Sequence, residues 1–455
     1  MAEQTSSSSL CFYCTVAGDH VQCHDTKLQQ HYSIQTEDIL CIYPSSERAC
    51  THSMLFLQKD TGSSDAPPKL ARVYIKNVPS TLLSSHLITE MPNHLCNPSD
   101  NHTRVHVIIS TASGMGTAKS IYSRILKKLF FYTGLTQYEV HETRSAQTIT
   151  ELCRSLFIPQ AEAGIQQTIV LLSGDGGLCD IIDAFYSASK EILTTPDVAL
   201  IPAGTGNAMA SSIGLLAQPT AALTALLRGK PTPVPVFVAK FSHGARTIEN
   251  GQIRNTGAAE PSLTIYGGVV ASWGIHAALV ADSDTAAYRK FGADRFKMAA
   301  KELLFPSDGS STHKYSGTIT LFKKDNQRNI EREKVLQPKD HMYVLATLVS
   351  KLEKDFMISP ESKALDGSLR MVRFGPMPPQ QAMQVISSAY EHGRHVQDDN
   401  VMYSEIEGYR IDFHEADERW RRVCIDGRVV VVKDGSWMQV HKEKRKLVNI
   451  LFSEF

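Results

Sequence analysis

Three times between residues 105 and 207, a short apolar run gives way to a glycine-bearing turn and then to a helical pattern. VHVII at 105–109 leads into SGMG at 113–116 and a helix predicted over 117–131, where Ile121, Ile125 and Leu129 fall four apart on one face. Residues 138–141 read as a strand, followed by a helix carrying Ala146, Ile149, Leu152, Cys153 and Leu156. TIVLL at 168–172 leads into SGDGG at 173–177 and a helix over 178–187. VALI at 198–201 leads into PAGTGN at 202–207 and a further helix. Strands alternating with helices predict a parallel sheet covered on both faces. In such a sheet the carboxyl ends of the strands line the ligand crevice. Glycine lets backbone N–H groups approach a ligand there, and helix N-termini add a partial positive charge suited to phosphate. The three turns together point to a phosphate-bearing ligand, although none has the GxxxxGK[ST] or GxGxxG pattern.

Asp175 stands between two glycines at one of these strand ends. A carboxylate beside bound phosphates is repelled unless it holds a metal or takes a proton, which points to phosphoryl transfer. It reads equally well as a turn residue capping the helix that starts near Leu178.

The flanking regions are β-rich. Residues 1–9 are Ser-rich and read as disordered. A hairpin is predicted over 10–23 with Gly18 and Asp19 at its turn, then strands over 38–43, 53–58 and 70–76. Beyond Pro231, Pro233 and Pro235, eight strands are predicted between 237 and 433, with a helix over 381–392. The chain therefore divides into a β-rich N-terminal segment of uncertain role (1–100), an α/β domain with a parallel sheet (101–232), a larger, mostly antiparallel β-sandwich (233–445) and a C-terminal tail (446–455).

With 47 Lys+Arg against 47 Asp+Glu, the chain lacks the basic excess of a nucleic-acid binder, and no such partner is expected. Its nine cysteines show no repeated spacing, so no disulfide framework and a reducing compartment are expected. CFYC at 11–14 with Cys23 and His24 suggests zinc, or simply hairpin residues. The start lacks the basic and apolar regions of a signal peptide. The uncharged run 263–281 is long enough to span a bilayer, but its glycines and His276 favour a buried strand and a second apolar segment. HKEKRK at 441–446 suits either an anionic lipid surface or a solvated run, and NHT at 101–103 matches a glycosylation acceptor.

Five segments together resemble the diacylglycerol kinase and sphingosine kinase superfamily. SGDG at 173–176, followed by Asp180 and Asp183, resembles its SGDGxxxEVxNG segment; PAGTGNA at 202–208 is similar to PxGTGNxhA. Residues 107–118 sit where the family has NPxSGxGxA, Thr143 where it has a nucleotide-contacting Thr, and CIDG at 424–427 resembles VDGE. Trp273, Gly274, Asp282, Tyr288, Arg289, Lys290, Gly292, Arg295 and Phe296 resemble the lipid-reading block of sphingoid long-chain-base kinases.

The resemblance implies a two-domain kinase with ATP between the domains and Mg²⁺ on the phosphates. The implied ATP contacts are Ser113, Gly114, Gly116, Thr143, Gly174, Gly176, Gly204, Thr205, Gly206, Asn207, Arg289, Arg295 and Asp426, with Asp426 also a metal ligand. Asp175 would take the proton from the lipid's primary hydroxyl. Asp282 would read an amino-alcohol head group, with Trp273 also against the lipid, and the β domain would enclose the chain. Without that block, Asp282 and Asp284 read as a solvated turn. The implied product is a sphingoid 1-phosphate. Alternatives are a diacylglycerol or ceramide kinase, or a catalytically weak lipid-binding regulator. A lipid substrate drawn from a bilayer implies a cytoplasmic protein that visits membrane surfaces.

The chain departs from the family pattern at several positions. Ser110 and Thr111 replace Asn-Pro, Met115 and Thr117 stand in a loop that usually carries lysine, Asp180 replaces Glu and Asp183 replaces Asn. Arg428 replaces the Glu of the late motif, a charge reversal that either weakens metal binding or sets a guanidinium on phosphate.

Overall fold

The computed structural model describes residues 11–24, 31–45, 50–59, 67–96, 103–249, 252–253, 262–284, 288, 290–292, 294–325 and 330–453. At its centre is a six-stranded sheet in the order Lys230–Pro233, Asn449–Phe452, Asp197–Pro202, Gln166–Ser173, Thr103–Ile109, Glu139–Glu142. Five strands are parallel, and the edge strand Lys230–Pro233 runs antiparallel to its neighbour. Pro231 and Pro233 lack an N–H for a second ladder, which suits an edge. In Gln166–Ser173 every residue after Gln166 is buried, as expected of a strand covered on both faces.

The C-terminal residues correct the domain division. Residues 446–455 were expected to form a tail, yet Asn449–Phe452 is an inner strand of this sheet. Val448, Ile450 and Leu451 are fully buried. The strand is four residues long and follows a basic run, so local pattern hid it.

Beyond the central sheet, two antiparallel sheets of seven and eight strands face each other. Trp273 of one meets Tyr315 and Phe413 of the other edge-on, with centroids 5.7 and 5.3 Å apart. The apolar run 263–281 is folded into this region as strands Thr264–Gly267 and Val270–Gly274 and the start of helix Ile275–Ser283. Among the described residues no helix is long and apolar enough to cross a membrane.

The N-terminal region is a six-stranded sheet with its own core. In strand His52–Gln58, Met54 and Phe56 point into that core, while Leu55 and Leu57 join the core of the α/β domain. The two-residue period of a strand thus places one face inside the small domain and uses the other to dock it. Pairing also brings cysteines together. Cys14 lies opposite Cys23 in the hairpin, and the structure bonds Cys14 to Cys23 and Cys11 to Cys50. The expectation of no disulfide framework is therefore corrected for these four; Cys14 and Cys23 are placed opposite each other by the hairpin, while Cys50 lies just ahead of strand His52–Gln58.

Candidate active site

The three glycine turns meet at the carboxyl end of the central sheet. Ser110 N donates to Leu172 O and Ala203 N to Ser173 O, both at 3.0 Å, which stitches the strand ends together. Asp175 N donates to Gly206 O at 3.1 Å. The backbones nearly touch: a Cβ on Gly204 would lie 2.3 Å from Gly174 Cα, and one on Gly174 2.6 Å from Gly206 O. Gly114 has φ +54°, and a Cβ there would lie 2.6 Å from Ala203 O. Only glycine permits this convergence.

Polar side chains brace the turns. Asn207 bridges its own turn, its Nδ2 donating to Gly204 O at 2.7 Å. The hydroxyls of Ser113 and Ser173 are 3.3 Å apart. Thr143 is buried; its Oγ1 accepts from Thr111 N at 3.0 Å, and Thr111 Oγ1 donates to Thr143 O at 2.8 Å. Gly116 closes the first turn by donating to Ser113 O at 2.9 Å. Gly176 and Thr205 are exposed.

Asp175 sits between the second and third turns. It opens the helix Asp175–Tyr186, so it does not cap a helix starting near Leu178. Its carboxylate caps a different helix, accepting from Ala208 N at 2.6 Å and Met209 N at 3.0 Å. Desolvation outweighs these bonds, with a smaller contribution from the Asp426 charge, and pushes its pKa up to about 6. A carboxylate tuned to this range can exchange a proton near neutral pH.

Other expected site residues have partners of their own. Asp426 is buried, and its oxygens accept from Gly268 N at 2.7 Å, Val269 N at 3.0 Å and Val270 N at 2.6 Å. These bonds hold the 268–270 backbone. Trp273 is fully buried, with Nε1 donating to Trp420 O at 2.8 Å, and packs as a core residue. Asp282 faces the guanidiniums of Arg422 at 2.7 Å and Arg419 at 3.3 Å, which already satisfy the charge expected to meet an ammonium. Arg295 lies on helix Asp294–Leu304, which packs on helix Ile275–Ser283, and its guanidinium carbon is 4.8 Å from the Phe296 ring centroid. Arg289 lies outside the described residues. The basic run is partly committed: Arg445 sits 5.3 Å over both Tyr186 and Tyr266, and Lys442 bonds Glu407 at 3.0 Å.

Arg428, expected to weaken metal binding or to meet phosphate, instead joins two domains. Its guanidinium reaches Asp180 and Asp183 at 2.6 Å each, and the other oxygen of Asp183 accepts from Tyr266 N at 2.9 Å. Three of the departures from the family pattern therefore compensate one another in a single fork. Arg428→Ala should cost about 2 kcal/mol, below the usual value for a fully buried pair because all three groups keep some exposure. Urea unfolding measures this, and adding Asp180→Asn to an Arg428→Gln chain should recover part of the loss.

The turns gather bare backbone at the carboxyl end of the sheet, and among the described residues the carboxylates around them already have partners, so they do not fit a ready magnesium site. Asp426 is held by backbone N–H groups, Asp180 and Asp183 by Arg428, and Asp175 by a helix start.

Residues 104–239, which carry all three turns, match a known family. It is the diacylglycerol kinase catalytic domain. Over 172 residues the chain is 29% identical to Sphingosine kinase B of Dictyostelium discoideum, covering 37% of this chain and 20% of that protein. It is 28% identical over 190 residues to Sphingoid long chain base kinase 5 of Saccharomyces cerevisiae, covering 40% of this chain and 26% of that protein. The matches thus span only about a fifth to a quarter of these relatives. A solved chain from Bacillus anthracis str. Sterne that carries a diacylglycerol kinase name superposes with a TM-score of 0.50 at 14% identity, over 77% of this chain and 97% of that one. That likeness concerns the fold.

Proposed function

We propose that this protein is an ATP-dependent lipid kinase that phosphorylates the primary hydroxyl of a sphingoid long-chain base. The observation that carries the reading is the convergence of three bare-backbone turns around Asp175, within the stretch that matches the diacylglycerol kinase catalytic domain. The names of the relatives favour a sphingoid base over diacylglycerol or ceramide.

In this mechanism the triphosphate lies on the turns, where glycine keeps side chains away from its oxygens. Asp175 accepts the proton of the lipid hydroxyl as that oxygen attacks the γ-phosphorus. The bond to the bridging oxygen breaks, and ADP leaves with the electron pair. Thr143 and Asn207 hold the turns in place. The hydrocarbon chain would enter the β domain. An open surface pocket of about 600 Å³ lies in that domain, with Leu304, Phe305, Met342 and Met377 on its apolar side and Ser310, Thr312 and Lys314 on its polar side.

The panel that tests this reading offers radiolabelled ATP with sphinganine, ceramide or diacylglycerol, each with and without Mg²⁺. Label on sphinganine is expected, and label on diacylglycerol alone would overturn the substrate assignment. The pH profile is a second check. Asp175 accepts a proton only when ionised, so kcat/KM should fall as pH drops through about 6 and level off above it. An acid limb that Asp175→Glu leaves unmoved would assign the titration to another group.

A further inference from the structure

At the far edge of the central sheet, three side chains with metal-ligand chemistry share one face. Thr103–Ile109 and Glu139–Glu142 pair in parallel with His106 opposite Glu139 and Ile108 opposite His141. Residues two apart point the same way, so Glu139 and His141 both flank His106. His106 Nδ1 is 3.3 Å from His141 Nε2 and 3.7 Å from Glu139 Oε2, and His141 Nε2 is 3.8 Å from the same oxygen.

We propose that His106, Glu139 and His141 form a binding site for a transition-metal ion of the Zn²⁺ class. Zinc takes imidazole nitrogen and carboxylate oxygen at about 2.0–2.2 Å in a tetrahedron, which places ligand atoms roughly 3.3–3.5 Å apart. The three observed separations need only a few tenths of an ångström of closure. The surroundings are also those of a built site. His106 Nε2 faces the amide oxygen of Gln160 at 3.2 Å. Donation to that oxygen leaves Nδ1 with its lone pair toward the cluster. The Phe157 ring lies 5.0 Å from His106 and 6.1 Å from His141 and limits where the imidazoles can turn. His106 is fully buried, whereas Glu139 is 54% exposed and opens a path for the ion and for a water in the fourth position. Two nitrogen donors disfavour Mg²⁺, which prefers six oxygens.

The ion would join the sheet's edge strand to its neighbour through side chains. Thr143, which braces the first glycine turn, follows His141 by two residues. Metal occupancy would therefore stiffen the segment that delivers Thr143.

The test needs neither ATP nor lipid, so its outcome is independent of the kinase reading. The full chain, stripped with EDTA and dialysed, is titrated with ZnCl₂ by calorimetry beside His141→Gln and Glu139→Gln. The cysteines are identical in all three chains, so only the difference between them counts. The wild type should bind one more equivalent than His141→Gln, or bind it at least about 100-fold more tightly; Gln160→Ala should weaken binding about 10–100-fold. Co²⁺ should give a visible absorption band in the wild type that His141→Gln lacks. Should His141→Gln unfold, Glu139→Gln at the exposed position carries the comparison. Equal Zn²⁺ uptake and affinity in the wild type and the folded variants, or no uptake by the wild type, overturns the site.

Discussion

Asp175→Asn should lower turnover about a thousand-fold while ATP affinity changes little, as expected when a general base is removed. An amide cannot take a proton from the lipid hydroxyl. It can still accept one of the two helix N–H groups that Asp175 holds, so the cap is weakened and not lost. Losing one such bond should cost about 1 kcal/mol of stability. Measuring kcat, ATP binding and urea unfolding on the same preparation separates the two effects. Loss of activity in proportion to loss of folded protein would reduce Asp175 to a helix cap.

Gly204→Ala should be the most damaging change at the glycine turns. The new Cβ would lie 2.3 Å from Gly174 Cα and 2.8 Å from Gly174 N. Both are backbone atoms, so no side chain can swing away, and the turns must part. The expected cost is about 3 kcal/mol, the upper end for overpacking. Parting the second and third turns should also weaken ATP binding about 100-fold, since the phosphate cradle depends on their approach; a factor of this size is about 2.7 kcal/mol. Gly176→Ala is the matched control for protein packing and stability alone, because Gly176 is itself an implied ATP contact. A methyl group at Gly176 would meet nothing within 4 Å, and the residue sits in the first turn of a helix, where alanine is favoured. Unchanged stability and ATP affinity in Gly204→Ala would show that the turns do not form the cradle.

The turns were legible in the sequence because their signal is local. Apolar runs and glycines announce strand, turn and helix without help from distant residues, and Gly204–Asn207 lies where that pattern places it, whereas the helix expected from 178 already starts at Asp175. Burial is a tertiary property and was not legible. Asp426 sits in a motif that resembles a nucleotide contact, yet three backbone N–H groups from residues 268–270 claim its carboxylate. Trp273 lies in an uncharged run that suits a lipid wall or a core equally, and its packing against the facing sheet is visible only in the fold. The Asn449–Phe452 strand pairs with a segment far earlier in the chain, and no periodicity within four residues reveals it. Arg428 offered one usable signal. A charge reversal at 428 and an added acid at 183 are each unfavourable alone, and together they suggest an ion pair. The structure closes that pair at 2.6 Å.

The most direct test is the transfer of label from radiolabelled ATP to sphinganine by the wild type and by Asp175→Asn. Phosphoryl transfer at the glycine turns predicts a labelled sphingoid 1-phosphate from the wild type and almost none from the folded, ATP-binding variant. Equal labelling by both chains, or no label on sphinganine, ceramide or diacylglycerol from the wild type, would contradict it.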